Sequence, residues 1–397
     1  MLPDLAAHAS VENDAEQARS VPSGNEAIEY SIRIVSQSNI SMTPSVDDLA
    51  ELTKELVKID GEILALLDRR ARLVSNHAAA ISPNDLWSQV FSQTQSLSAS
   101  PDDALLTSDK QASVMRHIAS ACLTDVLQKG VAFLGPVDSY SHLATIAYFG
   151  DATPMKPVVS IAAVFDAVDR SEVDYGIVPI ENSTHGRVVD TLSRLWEGDH
   201  HIVGEVLTPI HHALLCHPDT VEVQQIHSKP QAIEQCRRFL TNHYPHVPLV
   251  ETASTAAAAE EASQTRGVAA IASLAAGRRY QLRVLGERIE DQRDNVTRFA
   301  VLGRHMRPAS GDDKTTIMFQ TDHRPGALAD VMQVFKQAKL NLTWIESFPD
   351  PRHDNEYFFV VDFAGHASEP SVDAAITSMT KQTRITRVLG SYPAGRI

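Results

Sequence analysis

Apolar residues at Leu49, Leu52, Leu56, Ile59, Ile63 and Leu66 follow one another in steps of three and four. That spacing predicts one amphipathic helix with a coiled-coil-like seam. Ser45 with Asp48 three residues on gives it a capping-box-like start. The next seam position is Arg70, and Leu73 resumes the stripe. A charge on a buried face is costly unless paired. Arg70 therefore reads either as a snorkelling side chain or as part of an anion site in a helical bundle. A second stripe, Val114, Ile118, Ala121 and Val126, predicts a helix over 110–128. Residues 82–109 between them are rich in Ser, Gln and Pro, and no Lys or Arg occurs between Arg72 and Lys110. Residues 45–128 are thus expected to form a helical hairpin or small bundle that needs a neighbour to bury its seam. Residues 1–44 are polar, acidic and aperiodic, which predicts a disordered tail.

At "GVAFLGP" the period changes. Short β-branched or apolar runs ("VAFLG", "YGIVPI", "HIVGEVL", "AAIAS", "FAVLG") now alternate with helical stretches. Strand–helix alternation over 131–304 predicts α/β layers around a largely parallel sheet. "RPASGDD" reads as a linker. A closing unit over 314–393 carries strand, helix, two strands, helix and strand, the βαββαβ order of a ferredoxin-like sandwich.

Length, charge and cysteine usage narrow the class. At 397 residues, about two or three domains are expected. A formal net charge of -15 argues against nucleic acid or an anionic membrane as partner. Cys122, Cys216 and Cys236 form no CxxC pair, so neither a disulfide framework nor a zinc ribbon is indicated. No apolar run approaches membrane-spanning length and residues 1–30 lack a signal peptide's apolar core, so a cytoplasmic protein is expected. Walker, GxGxxG, HExxH and GxSxG patterns are missing. Alternation along a strand accounts for His211 and His212, and no metal or other cofactor is expected.

The candidate chemistry lies at the starts of helices. Ser139 and Ser141 precede "LATIAYF"; Asn182, Ser183 and Thr184 precede "VVDTLSRLW". Ser228 precedes a helix with Pro230 in its first turn, and Ser254 and Thr255 precede an Ala-rich helix. Each alone is an ordinary N-cap. Four in one α/β region suggest an anion cradle at the carboxyl ends of the strands, able to hold a dianion without lysine. "EDQRDNVTRFAVLG" places Asn295, Thr297 and Arg298 at the mouth of a strand. It reads as a turn feeding a strand or as a hydroxyl held where it can give up a proton.

Taken together, "FLGPVDSYSHLA", "YGIVPIENSTHG", "HSKPQAIEQCRRFL", "STAAAA", "AAIAS" and "IEDQRDNVTRF" resemble the prephenate dehydratases over about residues 131–392. The resemblance implies a two-lobed, periplasmic-binding-protein-like α/β catalytic domain. It implies decarboxylative dehydration of prephenate to phenylpyruvate, on the way to phenylalanine, without a cofactor. Thr297 is the implied acid, with Asn182, Ser183 and Arg298 beside it. Ser139, Ser141, Ser254, Thr255, Asn295 and Phe299 are the implied substrate contacts. Asp138 stands where the family usually has glycine. The closing unit resembles an ACT domain, a phenylalanine sensor that pairs across chains. Its implied effector positions are Gly326, Ala327 and Leu328 in one loop and Asn341, Glu346 and Ser347 on the next strand. Phe348 stands where the family usually has arginine. A homodimer or homotetramer is implied. The helical front end resembles a chorismate mutase domain, with Arg70 on a site arginine. Thr53 and Ile81 replace other cations, which implies a degenerate domain kept for dimerisation. Arogenate as substrate, an active mutase, and a non-catalytic two-lobed ligand sensor stay open as alternatives.

Overall fold

The computed structural model of the chain describes residues 46–77, 105–123, 129–350 and 356–395. The tail expected over 1–44, the Ser45 cap, Ile81 and most of the segment 82–109 lie outside the described residues. The chain divides into two compact units, Met1–Leu66 and Leu67–Ile397. Helix α1, Val46–His77, begins in the first and ends in the second. Within the first unit the seam residues Leu52, Leu56, Ile59, Ile63 and Leu66 are all exposed.

In the second unit α1 adds Val74 to a core shared with Phe133, Phe149 and Phe299. Helix α2, Ser108–Leu123, adds Ala119 and Leu123 to the same core. The buried face is therefore not the expected one: Val114 is exposed, and Ala119, Ser120 and Leu123 face inward. Close approach selects small residues there. A Cβ on Gly150 would lie 2.4 Å from the Ser120 Cβ, and the Ser120 hydroxyl meets that of Thr153 at 3.0 Å.

Three sheets follow. The first holds β1 (Val131–Leu134), β2 (Met155–Val158), β3 (Tyr175–Asn182), β4 (Gly186–Arg187), β5 (His201–Pro209) and β11 (Val296–Gly303). Its order is β2-β1-β3-β11-β5, with β4 hairpinned onto β3. Helices α3 (Tyr140–Phe149), α4 (Ile161–Asp169) and α5 (Val189–Glu197) pack against it. Local chemistry starts two of them: Ser139 accepts from the His142 N–H and Ser160 from the Ala163 N–H. Val164, Phe165 and Val168 then give α4 its buried stripe.

The second sheet holds β6 (Ala213–Cys216), β7 (Gln225–Ser228), β8 (Leu249–Glu251), β9 (Val268–Ala272) and β10 (Arg283–Gly286), in the order β10-β6-β9-β7-β8. Its helices are α6 (Pro230–Gln235), α7 (Arg237–His243), α8 (Thr255–Gln264) and α9 (Leu274–Arg279). Both sheets are mixed. β11 runs antiparallel to β3 and to β5, and β6 antiparallel to β9 and β10. The largely parallel sheet expected from strand–helix alternation is corrected here, because an apolar run carries no pairing direction.

The third sheet is fully antiparallel: β12 (Asp313–Gln320), β13 (Leu342–Pro349), β14 (Tyr357–Ala364) and β15 (Ile385–Pro393), ordered β13-β14-β12-β15. With α10 (Ala327–Ala338) and α11 (Pro370–Thr380) the element order is the expected βαββαβ. This sheet shares a core with the first: Phe348, Phe358, Val360 and Tyr392 pack with residues of α4, α5 and β3. The approach reaches backbone at Gly390, where a Cβ would sit 2.0 Å from the Ile202 carbonyl oxygen.

Candidate active site

The end of β3 and the start of β11 lie in register, with Thr297 opposite Asn182. Between them runs a dense polar network. The Asn182 amide nitrogen donates to the Thr297 hydroxyl at 2.8 Å and to Asn295 Oδ1 at 2.9 Å. Its carbonyl oxygen accepts the backbone N–H groups of Thr184 and His185, each at 3.1 Å. Those two N–H donors fix which end of the amide is oxygen. Ser183 Oγ accepts the Val296 N–H at 3.0 Å. Ser183 Oγ also donates to Asn295 Oδ1 at 3.5 Å, so four predicted site residues (Asn182, Ser183, Asn295 and Thr297) share one network. Asn295 is 2 % exposed and its Nδ2 has no hydrogen-bond partner.

The helix-start reading of this stretch is corrected. Asn182 ends β3, Ser183–His185 form the turn to β4, and α5 begins later, capped by Val188 with no side-chain bond. Ser139 and Ser254 are true caps of α3 and α8. Ser228 is buried and donates to the Ile271 carbonyl instead. Ser141 is buried inside the first turn of α3. No hydrogen bond joins Ser254 or Thr255 to the Asn182–Thr297 network among the described residues. Phe299 is 2 % exposed in the apolar core and presents no open face to a ligand.

Arg298 also departs from expectation. It follows Thr297 on a strand, so its side chain leaves the opposite face. There Nε donates to Glu205 at 2.7 Å and Nη2 to the Tyr392 hydroxyl at 2.8 Å. Asp362 and Glu181 complete its ion pairs, and its guanidinium lies 5.0 Å from the Trp344 ring centre. Burial disfavours its charge, but Tyr392, Asp362 and Glu205 outweigh that and hold its pKa well above the ordinary value. Burial drives the Asp362 carboxyl upward, against the pull of Arg298 and Lys314. A guanidinium so engaged has no fork left for a substrate carboxylate.

Residues to which the sequence assigned no site role bridge the first and second sheets. The Tyr140 hydroxyl donates to the His211 carbonyl at 2.5 Å. His212 Nε2 meets Gln235 at 2.8 Å, and Gln235 Nε2 lies 3.4 Å from His185 Nδ1. Glu290 accepts the His212 N–H and pairs with His211, both at 2.9 Å. His211 and His212 precede β6 rather than alternate along it, so the strand reading of that pair is corrected. The doublet itself was the available signal. On the other side of the opening, Ser273 Oγ donates to the Asp138 carbonyl at 3.4 Å. The segment after β1 thus touches the segment after β9, and the turn after β3 touches α6.

Asp138 has φ 65°, the left-handed region, which accounts for the glycine usual there. Its carboxylate turns to Arg279 at 3.1 Å and His142 at 3.7 Å. Asp138→Gly is expected to change stability by no more than about 1 kcal/mol, because relief of the left-handed backbone offsets loss of an ion pair whose arginine is half exposed. Asp138→Val, branched in a left-handed conformation, is expected to cost about 1–3 kcal/mol. Thermal denaturation of both variants checks the ordering.

Acid is expected to weaken the fold in two steps. Burial lowers the pKa of His212, as it does for His142, His200 and His201. Below about pH 6.5 the unfolded chain takes up protons that the folded chain resists, so stability falls with pH. Burial raises Glu290, but the His212 N–H and His211 more than offset it and its pKa is lowered. Its contribution, present above about pH 4.3, is lost as pH falls through the lowered folded value. Urea midpoints should decline steadily from pH 7.5 to 5, and His212→Asn should flatten the upper step. A midpoint that rises on acidification contradicts this.

Of the implied effector positions, Gly326, Ala327 and Leu328 line a cavity of about 710 Å³ with Arg324, Met332 and Tyr357. Asn341 and Ser347 are exposed elsewhere, and Glu346 pairs with Arg187 of β4 at 3.2 Å. Phe348 is buried against Phe358, so the position usually held by arginine is core here. Arg70 is half-buried, and its Nη1 has no hydrogen-bond partner.

A polar pair at paired strand ends, with loops of a second sheet hydrogen-bonded beside it, is a common place for an α/β protein to bind a small polar molecule. A family model described as prephenate dehydratase matches residues 131–307. The bifunctional chorismate mutase/prephenate dehydratase of Aquifex aeolicus is 36% identical over 356 residues, which cover 88% of this chain and 98% of that relative. The crystal structure of a prephenate dehydratase in complex with L-Phe from Arthrobacter aurescens is 33% identical with a TM-score of 0.61, covering 66% of this chain and 89% of that one. A solved chain titled GqqA, a novel type of quorum quenching acylase, is 29% identical with a TM-score of 0.61, covering 66% and 97%. The chain belongs to the prephenate dehydratase family.

Proposed function

We infer that the protein converts prephenate to phenylpyruvate, with loss of carbon dioxide and water. The observation that carries this reading is the 2.8 Å bond from the Asn182 amide to the Thr297 oxygen. With a lone pair engaged, the Thr297 hydroxyl keeps its proton for another acceptor. In prephenate that acceptor is the departing ring hydroxyl. As the ring carboxylate leaves as carbon dioxide, its electron pair enters the ring and expels the hydroxyl, which takes up one proton, passed through Thr297 and replaced from solvent, to leave as water. A hydrogen bond from Thr297 stabilises the charge that develops on that oxygen. No cofactor is needed, because aromatisation drives the step. Asn295 steadies Asn182 by accepting from its amide nitrogen at 2.9 Å. Ser139 and Ser254, which cap α3 and α8, are read as the helix starts that hold the substrate's carboxylates.

In this reading the first two sheets are the lobes of a periplasmic-binding-protein-like catalytic domain over 131–304. The third is an ACT domain over 314–393 that senses phenylalanine. The L-Phe complex of the Arthrobacter relative supports that assignment, as does the cavity beside Gly326–Leu328. Pairing of ACT domains makes a homodimer or homotetramer the expected assembly, in the cytoplasm. The helical segment 45–128 is read as a mutase-like domain without turnover, since Thr53 stands where a cation is needed.

The test is turnover by purified protein near neutral pH, where prephenate does not aromatise by acid. Phenylpyruvate is followed by absorbance, with arogenate and chorismate offered in parallel. Appearance of phenylpyruvate, slowed by added phenylalanine, is the expected result. No product from prephenate overturns the reading. Faster loss of arogenate redirects it, and conversion of chorismate restores the mutase. If excess phenylalanine changes neither activity nor thermal stability, the sensor assignment fails.

A further inference from the structure

Arg298 adjoins Thr297, yet its side chain is buried among groups of the third sheet. Asp362 on β14 and Tyr392 on β15 are both 0 % exposed, so neither touches a molecule in the cleft. Thr316 of β12 binds both, donating to Asp362 Oδ1 at 2.7 Å and meeting the Tyr392 hydroxyl at 2.6 Å. Glu205 of β5 bridges Arg298 to Lys314 of β12, which donates to it at 2.8 and 3.0 Å. One guanidinium thereby ties β11 to its neighbours in the first sheet and to three strands of the third.

The location of this tie matters. The pairing of β11 with β3 shifts register between Arg298 and Phe299, immediately behind the Thr297–Asn182 pair. Bulges re-aim side chains beside active sites, and a one-residue slip turns every side chain to the other face. Arg298 lies opposite Glu181 at that point, with 3.6 Å between their charged groups. A second tie holds the other side of the pair: β4, hairpinned beside Asn182, reaches β13 through Arg187 and Glu346.

We propose that Arg298 is a positioning residue for the dehydratase reaction: anchored by Asp362 and Tyr392, it fixes the register of β11 that aims Thr297. The proposal rests on the reading of Thr297 as the donor to the leaving hydroxyl. It assigns Arg298 no contact with substrate. The third sheet then sets the geometry of the catalytic pair directly, through buried charge.

Two variants outside the cleft test it. Asp362→Asn keeps shape and the Thr316 bond but removes the charge facing Arg298. Tyr392→Phe removes one hydroxyl only and serves if the first variant does not fold. Each is measured for kcat and KM with prephenate, and for amide hydrogen exchange over the whole chain. The expected result is a kcat lower by about 10- to 100-fold with KM changed less than about threefold. Exchange should quicken at 182–184 and 296–298 while β6–β9 stay unchanged. An unchanged kcat with exchange altered only within β12–β15 overturns the proposal, as that is what a merely structural role gives. A rise in KM alone overturns it too, since Arg298 would then act as a carboxylate anchor. A wild-type protein without turnover counts against the dehydratase reading, and the exchange pattern still decides the positioning claim.

Discussion

Thr297→Val is expected to lower kcat for prephenate by about 10²–10⁴-fold, with KM little changed. Valine keeps the branched shape and the strand preference of threonine and removes only the hydroxyl. Asn182 retains Asn295 as acceptor, so stability should drop by no more than about 1 kcal/mol. A hydroxyl that acts only in the transition state lowers kcat and kcat/KM together when it is deleted. Thr297→Ser restores the group on a side chain with more rotational freedom, and should recover activity to within about tenfold. Steady-state kinetics on the two variants decide the matter. Full activity in the valine variant removes Thr297 from the chemistry.

The second large effect is expected from Asn182→Asp. The carboxylate can still accept the N–H groups of Thr184 and His185, so the turn should hold. Asn295 can rotate its amide and offer the nitrogen that is without a partner in the native protein. The Thr297 hydroxyl, however, now faces an anion at about the native 2.8 Å and turns its proton toward residue 182. The donor to the leaving group is withdrawn although every heavy atom stays in place. Added negative charge beside a dianionic substrate compounds the loss. A fall of about 10²–10³-fold in kcat is expected, the scale of deleting one transition-state donor. Partial recovery on acidification, as the carboxyl protonates, would separate this cause from misfolding. A kcat within about threefold of native would refute the orienting role of Asn182.

Much of this site was legible because its motifs are local. The residues of "ENSTHG" and "DNVTRF" sit at strand ends that an apolar run and a polar break already mark, and Ser139 and Ser254 cap the helices expected of them. What escaped depends on partners remote in sequence. Strand alternation alone sends Arg298 away from Thr297, but its destination lies in β14 and β15, and no local pattern names Asp362 or Tyr392. The turn that follows Asn182 looked like a helix start because Asn and Ser serve both uses, and a two-residue β4 carries no periodicity to separate them. The face of α2 was misjudged for a similar reason. Its inward residues are small because of what they touch, and size alone does not identify a buried position when the neighbour is unknown.

The glycine at 390 has a consequence for how such chains diversify. With no room for a β-carbon between residue 390 and the Ile202 peptide, the last strand fits against the fifth like a key cut for one lock. Terminal modules are often imagined as cartridges, exchangeable between enzymes at a linker. Here a transplanted module with alanine at this spot would wedge the seam open, however well its own interior were packed. Recombination in this lineage should therefore respect the seam more than the linker, with the glycine and the strand it faces inherited as one piece.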